Sequence, residues 1–225
     1  MARADRSAAL LVVAGGLAAY NLARSAAIPG DAHFVANLLI AGAVLAVGLV
    51  TGMTRDELGL AREHLRAGVR LGLLAAGLIA AVVVVAAVVP ATSGFFEDDR
   101  VDVSFAAMAW RVLVVIPVGT VFVEEVIFRG VLHGQLRRRF DIVRAALWGA
   151  TAFGLWHVFP VWRSYDDVAF GDLGRWGAVI GTFVATFVAG LGFIWLRHRS
   201  DHLIAPVCAH IATNSVPFAV AWFLV

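Results

Sequence analysis

An all-α, polytopic transmembrane bundle of about seven spans is the fold class that three features of the chain predict. Hydrophobic residues make up 61% and charged residues 15% of the 225 positions, against about 45–50% and about 25% in a soluble domain. The apolar residues run unbroken rather than alternating, which favours helices over a closed barrel, the other architecture able to span. The arginines collect in short loops between these runs, as membrane orientation requires.

The first apolar run, about Ala8–Ala23, follows Arg3 and Arg6. No small-residue cleavage site and polar mature domain follow it, so it reads as a first transmembrane helix rather than a signal peptide. Pro29, Gly30 and Asp31 mark the turn after it. The second run is about Phe34–Gly52. The polar interval Thr54–Arg66 comes next, where Thr54 and Glu57 have capping-box spacing. A short interfacial helix and a solvated charged loop both fit that interval. The third run, about Ala67–Val89, is closed by Pro90.

Ala91–Asp102 carries Glu97, Asp98, Asp99 and Asp102 without EF-hand spacing, and reads as a solvated outside loop. The fourth run begins near Phe105 and ends near Arg137–Arg139, longer than the roughly 20 residues that cross a bilayer. Either it tilts and projects, or it breaks near Pro117–Gly119. The fifth run is about Ala145–Val161. A loop with Asp166, Asp167 and Asp172 leads to the sixth, about Trp176–Leu196, and the seventh is about Leu203–Val225. Trp148 and Trp156 lie on the fifth run, while Trp110, Trp162, Trp176, Trp195 and Trp222 mostly mark span ends, as aromatic belts do. No inverted repeat of the transporter kind is visible. Residues 1–225 read as one domain, with N-terminal spans over 1–53 and a core over 54–225.

With seven spans, Arg3, Arg6, Arg55, Arg62, Arg66, Arg70, Arg137–Arg139, Arg144, Arg197 and Arg199 fall on one side. That side is expected to be cytoplasmic, with the N-terminus in and the C-terminus out. The expected location is the plasma (inner) membrane. A net charge of +2 therefore points to lipid rather than to nucleic acid. The single cysteine, Cys208, excludes an intrachain disulfide.

Three apolar spans carry polar residues at helical spacing. One holds Glu124, Glu125 and Arg129, one Phe153 and His157, and one His210 and Asn214. Each i,i+4 pair shares a face, so three faces can meet in one polar pocket. An unpaired carboxylate inside a membrane is costly. Glu125 can pair with Arg129, whereas Glu124 has no basic residue three or four positions away. A glutamate and a histidine facing a water can perform general-base chemistry, and a second histidine with an asparagine can donate to an oxyanion. Ser215 and Cys208 have no base at helical spacing and are discounted as nucleophiles. Two histidines and a glutamate also make a plausible Zn²⁺ ligand set, Glu124, His157 and His210, although the HExxH pattern is absent.

Structural roles compete with these. Intramembrane histidines often bridge helices, and Glu125–Arg129 fits a structural ion pair. His133 reads as an interfacial residue. His198 and His202 flank a turn, and His33 and His64 lie in loops.

At these residues the chain resembles the CPBP intramembrane proteases, which include type II CAAX prenyl endopeptidases and bacteriocin-immunity relatives. Their pattern of EExxxR, FxxxH and HxxxN on three successive helices is matched by Glu124-Glu125-x-x-x-Arg129, Phe153-x-x-x-His157 and His210-x-x-x-Asn214. The resemblance covers about Thr54–Val220, with Glu57-Leu58-Gly59-Leu60 a less specific upstream likeness. It implies hydrolysis of a peptide bond in a membrane-associated peptide or protein tail. Glu124 and His157 would activate water, His210 and Asn214 would stabilise the oxyanion, and Glu125 with Arg129 would support the site. On the preferred reading no cofactor is required, and zinc is the alternative. The residues about 12 positions ahead of Arg137–Arg139, roughly 18 Å along a helix, would place the pocket near the cytoplasmic leaflet. A catalytically silent interaction or immunity protein, and a proton-coupled carrier using the same pocket, are the rival readings.

Overall fold

The computed structural model describes residues 3–97, 101–164 and 171–224. Its helices are α1 (Arg3–Ala26), α2 (His33–Val50), the short α3 (Arg55–Leu58), α4 (Leu65–Val88), α5 (Phe105–Arg137), α6 (Ile142–Ser164), α7 (Gly171–Ser200) and α8 (Ile204–Leu224). No strand occurs among the described residues. Seven of these helices contain stretches long and apolar enough to cross a membrane, and the protein is an integral, multi-pass membrane protein. α1, α6 and α7 extend a few residues beyond their apolar runs at both ends, whereas α2 ends two residues before its run does and α8 lies within its own. Of the acidic-loop and sixth-span expectations, those on Asp98, Asp99, Asp166 and Asp167 lie outside the described residues.

The capping box forms. Thr54 Oγ1 accepts from the Glu57 N–H at 3.2 Å, and Glu57 Oε2 accepts from the Thr54 N–H at 2.7 Å. The interval therefore starts with a helical turn, which Gly59 ends in the left-handed region at φ 74°. A side chain at Gly59 would run into the Arg197 guanidinium. Glu57 also takes Arg138, with Nε on Oε1 at 2.6 Å and Nη2 on Oε2 at 2.7 Å. Arg197 donates to the Asp56 carbonyl at 2.8 Å. The Leu203 N–H donates to the Gly59 carbonyl at 2.8 Å. This polar segment thus clasps the ends of α5, α7 and α8.

The fourth span is continuous. Around Pro117 it is wound wider than an α-helix, over Arg111–Phe122 and again over Val126–Leu132. In that winding each N–H reaches the carbonyl five residues back, so Pro117 leaves the Val112 carbonyl unserved. Ser215 Oγ from α8 donates to it at 3.0 Å. Asn37 Nδ2 from α2 donates to the Gly119 carbonyl at 2.7 Å. Neighbouring helices thus satisfy the backbone that the proline disturbs, as the apolar setting demands.

The widest helix contacts are α4 on α8 and α6 on α7, while α1 lies on α6 and α2 on α5. α5 is the centre. Every residue from 123 to 136 is buried, including Glu124, Glu125, Arg129, His133 and Gln135. Around it pack Val13 and Leu17 of α1, Val44 of α2, Phe153 of α6 and Phe193 of α7. Leu11, Leu74, Leu78, Trp148 and Leu155 point outward and are exposed, as lipid-facing side chains are. His133, read as interfacial from the sequence, is packed inside the protein. It is 3% exposed, and its Nε2 lies 2.8 Å from Nε2 of His198, because the end of α7 returns against α5.

Candidate active site

α5 presents its two glutamates in different directions, as neighbours about 100° apart on a helix must be. Glu125 is fully buried, and its Oε1 accepts from Arg129 Nη1 at 2.9 Å and faces His210 Nδ1 at 2.8 Å. The Arg129 guanidinium itself lies in the corner of two rings, 3.9 Å from the Phe153 ring centroid and 4.9 Å from that of Phe193, which meet edge to face. Both rings lend cation–π stabilisation to a charge that has left water.

Glu124 turns toward α6. Its Oε1 accepts from the indole Nε1 of Trp156 at 3.0 Å. Its Oε2 is buried without a hydrogen bond among the described residues. It lies 3.9 Å from His157 Nε2 and 3.7 Å from His210 Nε2. Both imidazoles are oriented from behind. His157 Nδ1 sits 2.8 Å from the Phe153 carbonyl, which can only accept, so that nitrogen carries the proton. His210 Nδ1 faces the Glu125 carboxylate in the same way, and its ring stacks on Phe193 at 4.7 Å between centroids. The Nε2 atoms are left to face Glu124. His157 is the open side, with its side chain 28% exposed against 4% for His210.

Five of the six polar residues singled out by spacing thus meet in one cluster inside the bundle. Asn214 lies one turn beyond His210, half-buried. Its Oδ1 accepts from Thr213 at 3.4 Å, and among the described residues no hydrogen bond joins it to either glutamate. Ser215, discounted as a nucleophile, is bonded to α5 backbone. Trp156 was missed, because its contact with Glu124 spans 32 residues of sequence. The signal available was Pro160, four residues on, which strips a helical partner from the Trp156 carbonyl.

Could the cluster hold a metal? Zn–N and Zn–O bonds of about 2.0–2.1 Å put neighbouring tetrahedral ligand atoms about 3.3 Å apart. The 3.7 and 3.9 Å separations exceed that. Among the described residues, three metal-ligand side chains gather within 4.8 Å of one another at Asp56, Glu63 and His64, on the outer clasp, and not at Glu124, His157 and His210.

Beside the cluster, α1, α5 and α6 line an apolar groove of about 600 Å³, open along its outer side, with Leu17, Asn21, Phe128 and Trp156 in its inner wall. Trp156 separates it from Glu124.

Residues 105–216, about half of the chain, match the model of a family described as Type II CAAX prenyl endopeptidase Rce1-like. The chain belongs to this family. At the family level that makes it a protein of the CAAX-type intramembrane protease class. The Rce1-like match contains Glu124, Glu125, Arg129, His157, His210 and Asn214, and leaves α1–α4 outside it. No curated protein and no solved structure matches the chain.

Proposed function

We propose that this Rce1-like protein hydrolyses a peptide bond in a membrane-associated peptide or protein tail by activating a water between Glu124 and His157. The observation that carries the reading is Glu124 Oε2, buried, without a hydrogen bond among the described residues, and 3.9 and 3.7 Å from two histidine Nε2 atoms. A water in that gap gives one proton to Glu124 and the other as a hydrogen bond to His157 Nε2. The oxygen attacks the scissile carbonyl carbon, and Glu124 passes its proton to the leaving nitrogen. His210, when both its nitrogens carry protons, donates from Nε2 to the oxyanion with the Asn214 amide beside it. Glu125 and Arg129 hold His210 in place. This route needs no metal. A zinc ion would take Glu124 Oε2 and the two Nε2 atoms as ligands and supply Lewis-acid activation of the same water.

The substrate reaches the site from the His157 side, and the apolar groove beyond Trp156 has room for a hydrophobic moiety. The arginine-rich rim at Arg137–Arg139 and Arg197–Arg199 supports a cytoplasmic mouth, N-terminus in, C-terminus out, in the plasma (inner) membrane.

The test compares protein termini in cells expressing wild type with cells expressing equal amounts of Glu124→Gln. Termini that appear with wild type alone are expected. Identical termini in both would overturn the protease reading in favour of a binding role. Cleavage that survives 1,10-phenanthroline is expected of the water-only route. Its loss with the chelator and return with Zn²⁺ would replace that route with the metal one.

A further inference from the structure

Trp156 stands between the reactive carboxylate and the first span, and both of its polar groups are occupied. Its indole Nε1 donates to Glu124 Oε1 at 3.0 Å. Its carbonyl would ordinarily accept from the N–H four residues on, but that residue is Pro160. Asn21 Nδ2 of α1 donates to the carbonyl instead, at 2.9 Å. Tyr20 stacks on the indole with centroids 6.1 Å apart, and the Arg24 guanidinium lies 5.4 Å from the ring centroid. Tyr20, Asn21 and Arg24 fall within about one helical turn, so one face of α1 holds this tryptophan from three directions. α1 lies outside residues 105–216, where the family match falls.

We infer that Trp156 is a positioning residue for Glu124, and that α1 is part of the catalytic unit because it fixes Trp156. This rests on the protease reading above. A carboxylate free to rotate could turn either oxygen toward the histidines, or swing off them. The indole takes Oε1, so Oε2 alone is presented to His157 and His210. Replacing the proline-vacated backbone bond by an Asn21 bond fixes the height of the indole along α6. Geometry set this way acts on reactivity through orientation rather than through contact with substrate, and misplacement by about 1 Å can cost on the order of 100-fold in rate.

The test uses the full chain in nanodiscs with ¹⁵N-labelled tryptophan. Trp156→Phe assigns the Trp156 indole resonance and keeps the ring that Tyr20 stacks on. Glu124→Gln, which swaps a carboxylate acceptor for an amide, is expected to move that resonance more than the other tryptophans'. Asn21→Ala is expected to move it as well. In cells, Trp156→Phe and Asn21→Ala are expected to slow the appearance of wild-type-dependent termini at least tenfold at equal protein level, although neither residue touches the attacking water. If Trp156→Phe does not accumulate, Asn21→Ala carries the rate measurement. An indole resonance indifferent to Glu124→Gln, or wild-type rates in both variants, would overturn the positioning role. Termini unchanged by Glu124→Gln would instead overturn the protease reading itself, whatever the indole resonance does.

Discussion

Ser215 Oγ donates to the Val112 carbonyl at 3.0 Å, five residues before Pro117. The hydroxyl stands in for the N–H that proline lacks, and it ties α8 to the centre of α5. Ser215→Ala is expected to cost about 1 kcal/mol, the scale of an interhelical hydrogen bond in a membrane bundle. Pro117→Ala restores the backbone donor, so Ser215→Ala on that background is expected to cost close to nothing. Thermal unfolding of the four proteins in detergent closes the cycle, and additive effects would refute the substitution of one donor for the other.

The two prolines explain why some of this architecture was legible in sequence and some was not. Glu125–Arg129, Phe153–His157 and His210–Asn214 are i,i+4 pairs, so the faces they share follow from helix geometry alone. The spans follow from unbroken apolar runs. That the three faces could meet in one pocket also followed from this spacing, and the likeness to a family pattern pointed the same way. Whether α5 breaks at Pro117 depended on donors from α2 and α8, and Trp156 reaches Glu124 only once α5 and α6 are packed. Asn21 and Asn37 were readable as lone polar residues in apolar spans, but their carbonyl partners lie 135 and 82 positions away.

Glu125 and Arg129 are 0% and 1% exposed and 2.9 Å apart. Removing one partner strands the other charge in an apolar interior. Arg129→Met is expected to destabilise the protein by about 3–5 kcal/mol, seen as a large fall in melting temperature or loss of the monodisperse species in detergent. Arg129→Lys keeps the charge but not the flat guanidinium that rests against Phe153 and Phe193. It is expected to fall between wild type and Arg129→Met, and equality with wild type would mean the two ring contacts contribute nothing.

Gly72 and Gly77 lie on the same helix in opposite settings. A Cβ at Gly72 would stand 3.0 Å from the Ala205 Cα and 3.1 Å from its carbonyl oxygen, backbone that cannot yield without parting α4 from α8. At Gly77 nothing lies within 4 Å. Gly72→Ala is expected to destabilise by about 1–3 kcal/mol through overpacking. Gly77→Ala is expected to be neutral or to stabilise by up to about 1 kcal/mol, since alanine is the better helix former. Equal melting temperatures for the two variants would contradict the close α4–α8 contact.

The Glu57–Arg138 pair ties the clasp to the end of α5. Hydrogen bonds from Arg138 pull the Glu57 carboxyl below its ordinary value of 4.5. A carboxyl depressed in the folded state stabilises the fold above its unfolded value and loses that contribution as pH falls through the folded one. Wild type is therefore expected to lose melting temperature progressively below pH 4.5. Glu57→Gln is expected to start lower at neutral pH, since the amide keeps at most one weaker bond to Arg138, and to show a shallower decline on acidification. The difference between the two melting curves should shrink as pH drops. The pair is partly exposed, with Glu57 31% accessible and Arg138 13%, so added salt should also narrow the neutral-pH gap. A gap between the variants that stays constant from pH 7 to pH 3 would show that Glu57 holds the clasp by packing and not by charge.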